Sequence, residues 1–193
     1  VRNKTTYVHF EPYMDKLYAN QIDSAFNLYN NQAIFSGNLL MQPIGLEGSG
    51  LMELDKAELS SSLFTYNASW FNADTANLKV FEDQGTIAIN ANNLRSYVDL
   101  KDRIGIFNSN GSNSFIDLSA NKYRCYIDQL TWEMDNQQIT LGAQDESALL
   151  GTKFVSLHPK QDSLNFITQS ASYNLSDNIV YCRGVEYIDV ADA

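Results

Sequence analysis

Apolar and polar residues alternate with period two along much of this chain. Phe64-x-Tyr66, Ile87-x-Ile89 and Ile104-x-Ile106 are clear instances. Such alternation belongs to strands with one face buried and the other in water. The runs are separated by short polar turns, "YNNQ", "KDR", "DNQQ" and "SDN", whose Asn and Asp residues tolerate tight backbone geometry. A helix competes only over residues 51 to 64, where apolar residues stand at 51, 54 and 59; the serine run and strand-like flanks favour strand there too. The glycine-rich "GLEGSGL" (45 to 51) lacks the Lys-Ser/Thr ending of a phosphate loop and reads as a bulge or tight bend. The pattern predicts an all-β chain with few or no helices.

The strand, turn and strand recur as a unit. Phe26-x-Leu28 is followed by Ala33, Phe35 and Gly37, and Tyr173-x-Leu175 by Val180, Cys182 and Gly184 at the same offsets. Trp132-x-Met134 leads to Ile139, Leu141 and Gly142, and a fainter copy runs from Val98-x-Leu100 to Gly105 and Phe107. With their leading strands the copies lie near 17–41, 87–107, 123–142 and 164–188, within one all-β region, 1–193, read as an excerpt of a longer protein. The steps from Val98 to Trp132 and from Trp132 to Tyr173 are 34 and 41 residues. Periods in this range mark stacked units, none of which can bury its apolar face alone. The expected fold is an elongated, repeat-built β-stack, either an open β-jellyroll or a β-helix-like coil. Antiparallel hairpins and parallel coils both fit the turn lengths. Phe26, Leu28, Phe35, Trp132, Leu141, Tyr173 and Cys182 are expected to face the interior, as core or as lipid-facing residues.

Composition narrows the function classes. The net charge of −10 is spread along the chain, which argues against nucleic acid as a partner, since phosphates need basic patches. No apolar stretch reaches the length of a membrane-spanning helix. The two cysteines, Cys125 and Cys182, sit in β-type runs, where buried free thiols are the simpler expectation than a bridge. His9 and His158 have no ligand-spaced neighbours, so no metal and no cofactor are expected. Nucleophile motifs are absent from the sequence, and the paired acids in "ELDKAE" (53 to 58) and "FEDQ" (81 to 84) are expected on loops and solvent faces. A non-enzymatic role is therefore expected. The alternatives are a surface adhesion or glycan-binding module, marked by exposed aromatics such as Trp70 and Tyr97, and a β-helix carbohydrate-active enzyme with two acids in one cleft.

The repeat also carries a resemblance. "LNFITQSASYNLSDNIVYCRGVEYIDVADA" and "LYANQIDSAFNLYNNQAIFSGNLLM" are similar to the OstA-like (LptA-like) domain of lipopolysaccharide transport. "GLEGSGLMELDKAELSSSLFTYNASWFNADTANLKV" resembles a very large envelope protein of Bacteroidota with OstA-like repeats. The resemblance implies a folded-over β-jellyroll with an apolar interior that holds acyl chains, and no catalytic residues. It implies an extracytoplasmic location, in the periplasm or at the outer membrane. The implied role is a scaffold or periplasm-spanning bridge that binds lipid or lipopolysaccharide and stacks on further repeats or other envelope proteins. "DSA", "DTA" and "DSL" look like the O-glycosylation acceptor motif of Bacteroidota, which makes Ser24, Thr75 and Ser163 candidate glycan acceptors.

Overall fold

The computed structural model describes residues 6–111, 115–142, 151–161 and 164–189. Among these the chain forms one open antiparallel sheet of 18 strands, with a single 3-10 turn at Tyr29–Asn31. The strands are β1 (Thr6–Glu11), β2 (Lys16–Gln21), β3 (Phe26–Leu28), β4 (Ala33–Gln42), β5 (Gly45–Glu53) and β6 (Ala57–Tyr66). They continue as β7 (Trp70–Phe81), β8 (Ile87–Asp99), β9 (Ile104–Ser109), β10 (Ile116–Leu118), β11 (Tyr123–Tyr126) and β12 (Gln129–Glu133). The last six are β13 (Gln138–Gly142), β14 (Thr152–Ser156), β15 (Asn165–Thr168), β16 (Ser170–Asn174), β17 (Ile179–Arg183) and β18 (Ile188–Asp189). Every pairing is antiparallel, so the parallel coil of a β-helix is not what the chain forms.

The sheet is folded over along one line. β4 to β8 are long strands that run through both halves of the fold, and the two halves part at either end of this set: the first half of β4 meets β3 and its second half β2, while the first half of β8 meets β10 and its second half β9. From β9 onward the same path is split into short strands. One leaf continues through β10, β11, β14, β15 and β18, and the other through β9, β12, β13, β16 and β17. At the other end the first leaf finishes with β3 and the second with β2 and β1. Rings from opposite leaves meet in the interior: Phe35 of the first leaf lies edge-on to Phe64 (6.1 Å) and Tyr66 (5.9 Å) of the second. The buried apolar side chains of both leaves form one core.

The crest of the fold is built from small and polar residues. On β4 and β5, Gly37 and Gly50 stand opposite each other in register, each with a positive φ near 150°. A Cβ on Gly37 would lie 2.1 Å from the Ser49 carbonyl oxygen, and one on Gly50 would lie 2.1 Å from that of Ser36. Only glycine permits this approach. The ladder between β5 and β6 slips between Gly48 and Gly50, as expected for the bulge read from "GLEGSGL". Further along the crest, side chains replace the lost ladder bonds. Gln21 Oε1 accepts from Gly37 N–H (2.8 Å), Ser61 Oγ donates to the Thr75 carbonyl (2.7 Å), and Thr168 Oγ1 donates to that of Arg183 (2.6 Å).

The repeat seen in the sequence is the hairpin at the free ends of the strands. Hairpins β8–β9, β12–β13 and β16–β17 lie side by side on the second leaf, whereas Phe26 to Gly37 forms β3–β4 on the first. Arg103, Gln137 and Asn178 hold positive φ at the last turn position, where each chain re-enters its strand. The Ile104/Ile106 alternation runs opposite to the simple expectation: both face out, and Gly105 and Phe107 face in. The glycine leaves room for rings, since a Cβ there would lie 2.7 Å from Phe107 Cε2 and 3.6 Å from Trp132 Cε3.

The crest predicts a sharp contrast between glycines. Gly37→Ala should cost more than about 2 kcal/mol in a denaturant titration, because it strains φ and meets immovable backbone. Gly142→Ala, with open space around its Cβ, should stay within about 0.5 kcal/mol of the parent.

Candidate functional site

The interior is where the sequence places its candidate residues. Phe35, Trp132, Leu141 and Tyr173 are almost entirely buried, while Phe26, Leu28 and Cys182 are half-buried and pack against the same core. Phe26 stacks on Phe35 at 6.4 Å across the β3–β4 pair. Their ladders separate them: Phe26, Leu28 and Phe35 sit on the first leaf near one end, and Trp132, Leu141, Tyr173 and Cys182 on the second leaf. The residues form a continuous wall of the core and not a focused constellation. Both cysteines are free, and burial raises both thiols above their ordinary range.

The mouth, opposite the crest, is where the two leaves could part. It is plugged by the second apolar residue of the three second-leaf repeats: Leu100, Met134 and Leu175 are buried at the starts of their turns. With Leu54 and Trp132 they line a cleft of about 20 Å³, the volume of roughly one water. Polar contacts tie the lips together. Tyr29 Oη donates to the Trp70 carbonyl (2.9 Å), Lys56 Nζ to Gln137 Oε1 (3.0 Å), and Asn121 Nδ2 to the Asn178 carbonyl (2.9 Å). The turns also ladder with one another, Met134 N–H to the Arg103 carbonyl and Leu175 N–H to that of Gln137. Sequence reasoning found the plugs as part of the repeat but missed the polar clasps. Only the recurrence of Asn and Gln in the turns hinted at them.

The two acid-bearing segments meet at the same lip of the first leaf. Glu53, Asp55, Glu58, Glu82 and Asp83 line an open cleft of about 450 Å³ between the β5–β6 and β7–β8 turns. Lys56 lies among them and pairs with Asp83 at 2.5 Å. The arrangement is an acidic rim whose positive partner is the Lys56 side chain. No group of three or more metal-ligating side chains occurs among the described residues. Glu82 faces inward enough to act on Tyr173, whose hydroxyl donates to Asn178 Oδ1 (3.1 Å). Burial first, then the Glu82 and Asp177 charges, push the Tyr173 hydroxyl up to about 12.

Outside, Trp70 and Tyr97 pair on the solvent face of the second leaf, with ring centroids 5.4 Å apart. Of the candidate glycan acceptors, Thr75 is exposed at the crest and Ser24 is half-buried where the chain crosses between β2 and β3. Ser163 lies outside the described residues. No helix is long and apolar enough to cross a membrane among the described residues. No protein-family model, curated protein or solved structure matches this chain.

The mouth tyrosines set the alkaline limit of the fold. Burial raises Tyr29, Tyr66 and Tyr173 in the folded state, whereas an unfolded tyrosine ionises near 10. Their contribution is complete below about pH 10 and is lost as pH rises from there through the raised folded values. The denaturation midpoint should therefore be flat from pH 7 to about 8, begin to fall as the unfolded thiols ionise at about 8.5, and fall steeply above about 10 as the tyrosines add to the loss. Replacing Tyr173 with Phe should soften that fall.

Proposed function

We propose that this chain is a non-enzymatic structural segment of a bacterial cell envelope, an elongated scaffold or bridge built from stacked β-units. The observation that carries this reading is the state of the two sheet ends. Among the described residues, β1 pairs only with β2, and β17 only with β16. At the β1 end, the inward-facing Val8 and Phe10 are 55% and 52% exposed. At the β17 end, Val180 and Cys182 are half-buried against the core. Unpaired, apolar edges of this kind are normally covered or blunted. Their directions also match: β1 runs from crest to mouth and β17 from mouth to crest, so β17 of one unit placed beside β1 of the next stays antiparallel.

The packed interior and plugged mouth favour the scaffold over a lipid conduit. For lipid or lipopolysaccharide to occupy the interior, the clasps at Tyr29, Lys56 and Asn121 would have to part and the core rings would have to be displaced. The extracytoplasmic location and the kinship with OstA-like repeats belong to the same proposal. A surface adhesion or glycan-binding role is the second reading, favoured by one observation, the outward-facing pair of half-buried Trp70 and exposed Tyr97.

Sedimentation velocity from micromolar to millimolar protein tests the scaffold. The chain should associate end to end with rising concentration, and Phe10→Lys, which places a charge on an already exposed position, should keep it monomeric. A monomer throughout the range, or an unchanged association of Phe10→Lys, would contradict the reading.

A further inference from the structure

The solvent face of the second leaf has a feature that a scaffold does not require. Tyr97 is 37% exposed, and its register partner on β7 is Asn72. Trp70, one outward position along β7, lies diagonally across from Tyr97 with the rings tilted by 40°. The Tyr97 hydroxyl is committed only to a long contact with Asp99 Oδ2 (3.4 Å). In register across the leaf, Asn72 and Tyr97 are followed by Ile106, Thr131, Thr140 and Ser172. None of these side chains is charged, in a chain with 36 charged residues (13 basic and 23 acidic). With strands about 4.8 Å apart, the strip spans roughly 24 Å.

We infer that this strip is a binding surface for an uncharged glycan chain, laid across the strands with one sugar stacked on the Trp70–Tyr97 platform. Aromatic rings with a polar tip suit a ligand that presents C–H faces and hydroxyls together. The hydroxyls of Thr131 and Thr140 supply donors and acceptors along its path. The charge pattern selects the class. Asp99 and Glu133 border the strip on the mouth side and Arg95 alone on the crest side of Tyr97; acids outnumber it at the border and the chain carries −10 overall, which disfavours acidic polysaccharides and nucleic acid. An acyl chain would leave the strip's polar groups unpaired.

The surface can be read directly, because the chain has two tryptophans and Trp132 is only 2% exposed. Cellohexaose, maltohexaose and chitohexaose would be titrated while following emission and acrylamide quenching, which report on Trp70. At least one should give a saturable change and shield Trp70. Calorimetry should then show affinity weakened about tenfold or more by Tyr97→Ala or Trp70→Ala, a loss of about 1.4 kcal/mol. Both variants should stay folded, Tyr97→Ala close to the parent in melting and Trp70→Ala somewhat below it, since the Tyr29 bond to position 70 uses the backbone carbonyl but the half-buried Trp70 ring packs on Tyr97. Three results would overturn the inference: no saturable change with any neutral probe, parent-like affinity in Tyr97→Ala, or equal affinity for alginate oligosaccharides. The test is independent of the scaffold, because Phe10 lies at the far edge of the sheet.

Discussion

An antiparallel sheet can bury its apolar face against itself only if every strand bends at the same line. Here that line is drawn by the facing glycines of β4 and β5, where the carbonyls of Ser36 and Ser49 occupy the space that side chains would need. Further along, the bend is made by slips in register, by Asn93 in a left-handed conformation and finally by complete breaks between short strands. Once the line is fixed, the period-two alternation of each half-strand points the same way, and the two leaves share one interior. The core, the mouth and the open ends all follow from that geometry.

The mouth shows how the repeat uses its residues. In the Trp132 and Tyr173 copies an aromatic faces the core and the Met or Leu two places later enters the turn and closes the gap. Burying such a side chain contributes about 1.5–3 kcal/mol, so a row of them holds the lips together more strongly than any one polar clasp. The clasps add position: Lys56 reaches across to Gln137 while bound to Asp83 on its own side. An interior closed in this way behaves as a core. The ends, where the same apolar rows run out into solvent, are where the molecule has unsatisfied surface to offer.

Much of the fold was legible because alternation, turn chemistry and repeat all pointed to antiparallel-compatible strands. The hairpins 132–141 and 173–182 lie where their aromatic-x-Leu/Met signatures put them, and 98–107 where its fainter Val98-x-Leu100 copy does. What was illegible depends on contacts distant in sequence. Nothing local says that Ile104 and Ile106 face out; that is decided by Phe107 and Trp132 filling the space over Gly105. Likewise, Phe26 carries the same signature as Tyr173 but lies on the opposite leaf, because the chain crosses the crest before β3 in one case and before β16 in the other. Strand direction, open from the turn lengths alone, follows from the pairing. Of the surface, Trp70 and Tyr97 could be named from sequence as outward aromatics, but Trp70 is half-buried, and their pairing and the uncharged strip beside them emerge only from the register.

The central claim is that the two leaves face each other across a packed interior. Nuclear Overhauser contacts in lipid-free protein measure it most directly. The ring of Phe35 should show cross-peaks to those of Phe64 and Tyr66, which come from the opposite leaf and lie 6.1 and 5.9 Å away between centroids. Cross-peaks from Phe35 only to neighbours on its own leaf, with water or detergent signals in place of the opposite rings, would show the leaves apart and the interior open.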